Sequence, residues 1–198
     1  MAWEGRWERL EAADWKERLA ATGDSTSGHE DPGRRRLGVV LAVFLFDPAV
    51  GPAILLTKRA AHLDEHPGQI SFPGGAFEPG DAGLWAAALR ETWEEVGLAE
   101  AELDFLGLRP PQPVLDRWLI YPHLAWWAVP RPLHPNPAEV AEILITPLAD
   151  LTRQHQPGSW RTSDPDQASR FQLGDDILWG ATARILARLL DRLEFQKI

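Results

Sequence analysis

Four residues in one six-residue stretch, Arg90, Glu91, Glu94 and Glu95, have the types and spacing to do chemistry. Glu91 is three residues from Glu94 and four from Glu95, so on a helix the three carboxylates share one side of two turns. Like charges at that spacing repel. At a helix C-terminus the dipole opposes Glu94 and Glu95 by a further few tenths to roughly 1 kcal/mol each. Arg90 can neutralise one carboxylate, and a divalent ion held by two or three hard oxygen ligands would remove most of the remaining repulsion. The plain alternative is a solvated acidic face.

These side chains need a helix and an approach to it, and the stretch from Phe72 to Leu98, FPGGAFEPGDAGLWAAALRETWEEVGL, supplies both. Ala86, Ala87, Ala88 and Leu89 are strong helix formers, and Gly97 stands where a left-handed C-terminal cap is wanted, so a helix is expected over about 83–96. Ahead of it, Gly74 and Gly75 let backbone come close to a ligand or metal, and Glu78 and Asp81 follow in the loop.

Gly75, Asp81, Arg90, Glu91, Glu94, Glu95, Gly97 and Leu98 together resemble the Nudix box. The chain departs from the general pattern in three ways. Asp81 stands where a glutamate is usual, eight residues rather than seven separate it from Arg90, and Thr92 replaces an apolar residue. The longer spacing is similar to the form found in coenzyme A pyrophosphatases of that superfamily. A second segment resembles the same subgroup: Leu55, Leu56, Thr57, Lys58 and Arg59, then Leu63, His66, Gly68, Gln69, Phe72, Pro73, Gly74 and Gly75. There Ala60 replaces a common serine, Asp64 stands near a position that is often basic, and Glu78 replaces a usual aspartate.

The resemblance implies an α/β/α sandwich with a mixed β-sheet between helices, and Mg2+ or Mn2+ as cofactor. Glu91 and Glu95 would be the principal metal ligands, Glu94 a third ligand or base, and Gly75 a source of a backbone carbonyl. Arg90 would hold and orient a carboxylate, and Glu139 or Glu142 could reach the metal, with Glu142 taken as the further catalytic candidate. Arg36, Lys58, Arg59, His66, Gln69 and Gly74 are the candidates for substrate binding; edge charges and a turn histidine are the plain alternatives. The implied substrate is coenzyme A or a derivative, cut at its pyrophosphate into adenosine 3′,5′-bisphosphate and 4′-phosphopantetheine. Two rivals stand beside it: another Nudix hydrolase of a nucleoside diphosphate derivative or dinucleotide, and a non-catalytic Nudix-like binding module.

The rest of the chain is read as support for this centre. Its 198 residues, 44% of them hydrophobic, can bury one sizeable core. Residues 1–22 are expected as an amphipathic helix carrying Trp3, Trp7, Leu10, Trp15 and Leu19, 23–35 as a loop, and 36–194 as the hydrolase domain. Strands are expected at Leu37–Phe46, Ala53–Arg59 and Leu103–Leu108, and one or two within Trp118–Val129 with Pro122 at an edge or bulge. The segment from Ala138 to Leu151 is read as a strand entering a short helix, Trp160 and Phe171 as parts of a hairpin, and a last helix as running from Ile177 to about Leu193, capped by Asp175 or Asp176. Trp118 or Tyr121 could stack on an adenine, though core packing is the first reading of both.

With no cysteine, any metal must be held by oxygen or histidine. The net charge of −9 argues against sequence-independent nucleic-acid binding, while a small anionic substrate needs only a local basic patch. No apolar run approaches the length of a membrane span, so a soluble, cytoplasmic protein is expected, as monomer or homodimer.

Overall fold

The structure, a computed structural model, describes residues 11–22, 33–115, 117–162 and 168–195. At its centre strand β1, Arg36–Asp47, is apolar on both faces because both are covered. Val39, Leu41, Val43 and Leu45 belong to one core, whereas Ala42 and Phe44 belong to the other. Asp47 ends the strand by accepting the N–H groups of Ala49 and Val50 at 2.8 and 3.1 Å, and this turn sends β2, Gly51–Arg59, back antiparallel.

The first core is closed by helix α2, Leu84–Val96, whose Ala87, Ala88 and Val96 lie on the sheet. The second is closed by α1, Ala12–Thr22, α3, Leu148–Gln154, and α4, Gly180–Phe195, through Trp15, Leu19, Leu148, Leu151 and a leucine-rich face of α4. Fully burying each such leucine contributes roughly 1.5–3 kcal/mol. The result is the expected α/β/α sandwich around an eight-stranded mixed sheet.

Sheet topology then positions the carboxylate helix. The chain forms β3, Ile70–Ser71, and β4, Gly74–Ala76, ahead of α2. After it come β5, Leu103–Leu108, β6, Gln112–Val114, β7, Trp118–Trp127, and β8, Val140–Pro147. The long strand β7 runs parallel to β1, from Arg36 opposite Trp118 to Leu45 opposite Trp127. On the other side of β7 lie β5 and β6, and β8 covers the outer edge of β2. β1 and β2 pair with each other only around their turn, between Phe44–Asp47 and Gly51–Ile54. Beyond that they diverge, and residues 69–76 fill the fork. β3 pairs with β2 and β4 with β1, while Arg59 donates to the Gln69 carbonyl at 2.9 Å and Leu41 to that of Pro73 at 2.8 Å. The glycine-rich turn is thus held between the two central strands.

Several elements differ from the expectations. Pro122 sits neither at an edge nor in a bulge of its own strand but inside β7, between β1 and β5. Its missing N–H is tolerated because the neighbouring strand breaks opposite it, between Leu108 and Gln112, where Arg109 donates to the Pro122 carbonyl at 2.9 Å. The late hairpin consists of β9, Phe171–Leu173, and β10, Asp176–Leu178, with Trp160 in a separate 3-10 turn. Ile177 is therefore a strand residue, and α4 starts at Gly180, with Asp176 in an ion pair instead of a cap. The expected N-terminal helix is present over Ala12–Thr22, where Trp15 and Leu19 are buried; residues 1–10 and 23–32 lie outside the described residues. Among the described residues no helix is long and apolar enough to cross a membrane.

His123 of β7 is 1% exposed, beside Trp85 of α2 at 5.8 Å between ring centroids. Burial pulls its pKa down to about 4, while backbone hydrogen bonds with Tyr121 and Val40 pull it up. Because the folded value lies below the usual 6.5, the unfolded chain binds more protons between pH 4 and 6.5. This contribution to stability is complete above pH 6.5 and is lost as pH falls toward 4, by up to about 3 kcal/mol. Chemical unfolding of wild type and His123→Leu across pH 4–7.5 checks this. The stability difference should shift in favour of the variant as pH falls, and a pH-independent difference would mean that His123 does not titrate this way.

Candidate active site

The glycine pair at the start of the site is required by contact distances. A Cβ on Gly74 would stand 2.2 Å from the Val39 carbonyl oxygen and 2.7 Å from the Val40 Cα, and its φ of +152° lies where side chains are strained. A Cβ on Gly75 would stand 2.5 Å from the carboxyl carbon of Glu91. β4 can therefore lie against β1 and also receive the Glu91 carboxylate only with glycine at both positions.

α2 begins at Gly83 without a side-chain cap and ends as expected on Gly97, in the left-handed conformation, with its N–H bonded to the Trp93 carbonyl at 2.9 Å. Its last carbonyls find partners outside the helix: Asn136 N–H donates to Glu95 O at 2.9 Å, and Arg131 to Gly97 O at 2.8 Å. Thr92, at the usual apolar position, is fully buried and loses no hydrogen bond, because its hydroxyl donates to the Ala88 carbonyl at 2.7 Å.

Arg90 organises the outer side of the helix. It grips Asp81 with two nitrogens at 2.9 and 3.2 Å, contacts Glu91 at 3.0 Å and Glu94 at 3.1 Å, and donates to the Ala76 carbonyl at 3.0 Å. The hydrogen bond from Arg90 holds the Asp81 carboxyl below the usual carboxylate range, and Asp81 also accepts the Glu78 N–H at 2.8 Å. The aspartate that departs from the box pattern thus fastens the loop to the helix.

Glu91 and Glu95 point inward, 8% and 3% exposed. Burial raises the pKa of Glu91 against the pull of Arg90, with Glu94 and Glu139 adding to the rise. Glu95 is pushed up to about 8 by burial first, then by Glu139 and Glu91, against weaker contributions from Arg59 and the Gly74 backbone. Its Oε2 is buried with no hydrogen-bond partner. Such a group calls for a proton or a cation. Among the described residues, no three acidic or histidine side chains converge closely enough, as they stand, to enclose an ion. The hard oxygen set, the unmatched negative charge and the orphaned Oε2 nonetheless fit a divalent cation of the magnesium type.

The structure separates the remaining candidates. Glu139, just ahead of β8, raises the pKa of both buried glutamates, and its carbonyl accepts the Ala60 N–H at 2.8 Å. Glu142 pairs in register with Lys58, and the Lys58–Glu142 face of the sheet carries Leu56 and Leu144, opposite α2. The strand alternation therefore turns Glu142 away from Glu91 and Glu95. Lys58 binds Asp176 at 2.6 Å, whose hydrogen bond raises its pKa, so this charge is already matched. Arg59 is on the α2 side, where it lowers the Glu95 pKa, and donates to the Glu65 carbonyl at 3.2 Å.

His66 is exposed, with φ +56°, and its carbonyl accepts the Gln69 N–H at 3.2 Å; the Gln69 side chain reaches the start of α4 near Gly180. Arg36 and Trp118 stack at 4.4 Å at the beginnings of β1 and β7. Trp118 is half-buried with this guanidinium on its ring, and Tyr121 is buried. Sequence reasoning did not assign roles to Asp81 or His123. The position of Asp81 in the box, where a glutamate is usual, was the available signal for the first, while an apolar run hides the second.

Residues 35–165 match the family model of the NUDIX domain. The chain is 34% identical over 146 residues to an uncharacterized Nudix hydrolase, NudL, of Photorhabdus laumondii, covering 72% of this chain and 78% of the relative. It is 37% identical over 141 residues to the uncharacterized Nudix hydrolase NudL of Cronobacter sakazakii, covering 70% and 73%. In fold it is similar to a MutT protein of Methanosarcina mazei, with a TM-score of 0.54 at 20% identity over 82% of this chain and 96% of that one.

Proposed function

The chain belongs to the Nudix family and is a hydrolase of a nucleoside diphosphate derivative, and from that premise we propose that its substrate is coenzyme A or one of its derivatives. The observation that carries the reading is the fork. The segment from Leu55 to Gly75, which resembles the coenzyme A pyrophosphatase signature, runs from β2 through β3 to β4 and ends beside the Glu91 carboxylate.

Nudix hydrolases generally use divalent ions such as Mg2+ or Mn2+, and here Glu91 and Glu95 would hold the ion, with Glu94 and the Gly75 carbonyl as further oxygen donors. Bound there, the ion would acidify water and neutralise charge on the pyrophosphate oxygens. The protein's own groups do the remaining work. Arg90 fixes the direction of Glu94 and ties it to the Asp81 loop. Glu94, exposed at the surface of α2, is the first candidate to take the proton from water, and Glu139 is the second because it alone among the β8 candidates reaches the field of both buried glutamates. Glu142 is left out of this assignment by its face of the sheet. Arg59, on the α2 side, is placed to offset charge on the bridging phosphates, and Gly74 lets β4 close against β1.

A panel of coenzyme A, acyl-coenzyme A, ADP-ribose and a dinucleoside polyphosphate, each with Mg2+ or Mn2+, tests the proposal by product analysis. The expected products from the first are adenosine 3′,5′-bisphosphate and 4′-phosphopantetheine. A higher kcat/KM for ADP-ribose or the dinucleotide would replace the substrate while leaving the hydrolase.

A further inference from the structure

The chain carries nine more acidic than basic residues, yet four arginines at one end of the sheet have no carboxylate partner among the described residues. They are Arg34, Arg35 and Arg36, leading into β1, and Arg117, leading into β7. Parallel pairing brings the two strand starts side by side, and Arg36 N–H donates to the Arg117 carbonyl at 2.8 Å. Arg34, Arg36 and Arg117 are exposed. Three cations elsewhere in the fold are matched: Lys58 to Asp176, Arg90 to Asp81, Arg131 to Glu102.

This end of the sheet is also the end that holds the site. β4 pairs with β1 at Gly38–Val40, and Phe77 N–H donates to the Leu37 carbonyl at 3.0 Å. Gly38 is the contact point. The Gly75 carbonyl oxygen, from β4, and Cε3 of Trp118, from β7, each lie 3.4 Å from where a Cβ on Gly38 would stand, so the indole and the candidate metal-binding carbonyl flank Gly38. On the Trp118 ring the Arg36 guanidinium is stacked at 4.4 Å, which restricts a long side chain that would otherwise lose more freedom on binding.

We propose that Arg36 and Arg117, with Trp118 as the platform that orients Arg36, form a phosphomonoester subsite of this hydrolase, separate from the place where the pyrophosphate is cut. A phosphomonoester carries close to two negative charges near pH 7 and three acceptor oxygens, and two guanidinium forks match that charge and geometry. A bridging pyrophosphate, which must lie against the Glu91 and Glu95 side of β4, would leave these two arginines to a phosphate elsewhere on the same molecule. The inference rests on the pyrophosphatase reading above, and for coenzyme A the group concerned would be the 3′-phosphate. Lys58, with its charge taken by Asp176, has no part in the subsite.

The test uses two pairs of compounds that differ by one phosphomonoester: coenzyme A with its 3′-dephospho form, and NADP with NAD. Steady-state kcat/KM is measured for wild type, Arg36→Gln/Arg117→Gln, Arg36→Lys/Arg117→Lys and Trp118→Leu. Within a pair the ratio is internal to one protein, so partial loss of folded enzyme cancels. Wild type should favour the phosphorylated member of at least one pair by about tenfold or more. The glutamine variant should bring that ratio close to one through a higher KM, the lysine variant should keep part of it, and Trp118→Leu should lower it less than the glutamine variant. A preference that survives in the glutamine variant overturns the subsite while coenzyme A stands as substrate. No preference in either pair also overturns it, even if coenzyme A is cleaved. A preference confined to NADP and erased by the glutamine variant keeps the subsite and removes coenzyme A.

Discussion

Glu95→Gln should lower kcat/KM by about a thousandfold while leaving the metal-free protein as stable as wild type at pH 7. The loss is expected because one of two inward carboxylates becomes neutral, which removes charge from the set that would hold the ion; an activity change of that size corresponds to about 4 kcal/mol in the transition state. Stability should hold because burial already favours the protonated acid at this position, with a pKa of about 8, and glutamine matches it in shape and charge. Two readings check this, steady-state turnover with Mg2+ or Mn2+ and thermal unfolding in chelator. Near-normal turnover would remove Glu95 from the metal site, and a clear fall in metal-free Tm would make it structural.

Gly74→Ala carries the largest expected cost to the fold. Its Cβ would stand 2.2 Å from a backbone oxygen and 2.7 Å from a backbone carbon of β1, and neither is the end of a side chain that can swing aside. β4 would have to leave β1, at a φ that alanine also resists. Strain and lost strand pairing together should cost at least about 3 kcal/mol, or a fall in Tm of roughly 6–12 °C for a chain of this size. Gly80→Ala, where nothing lies within 4 Å of the added carbon, is the control and should shift Tm far less. Equal shifts in the two variants, measured by calorimetry, would mean that the fork is looser than its contacts imply.

The comparison of sequence with structure divides along the range of the forces involved. Gly97, the helix before it and the apolar β1 were legible because caps, helix propensity and burial on two faces act within a few residues. The choice between Glu139 and Glu142 was not, since it depends on the register of β8 against β2 and on the irregularity between Lys58 and Arg59. Pro122 misled for the same reason: a proline reads as an edge signal, and only the break in a neighbouring strand shows why an interior position tolerates it. Lys58 looked available from its sequence neighbours, but its partner Asp176 is 118 residues away. Arg36 was a candidate for substrate binding from sequence, whereas its stacking on Trp118 required the parallel pairing of two strands far apart in the chain.

That parallel pairing has a consequence for how the protein is made. Arg36 and Trp118 are 82 positions apart (118 − 36), so on the ribosome β1 emerges well before the strand that will cover its side. At 5–20 residues per second the interval is roughly 4–16 s, long compared with hydrophobic collapse. During that time β1 can pair with β2 and receive β4, all supplied by the next forty residues, and an early hairpin can shelter its apolar length. β7, in turn, arrives as an apolar strand with Pro122 at its middle, a residue that cannot donate to a ladder and so disfavours the self-stacking of such strands. The break that accommodates this proline in the finished sheet therefore also lets the nascent chain carry a residue that guards against aggregation.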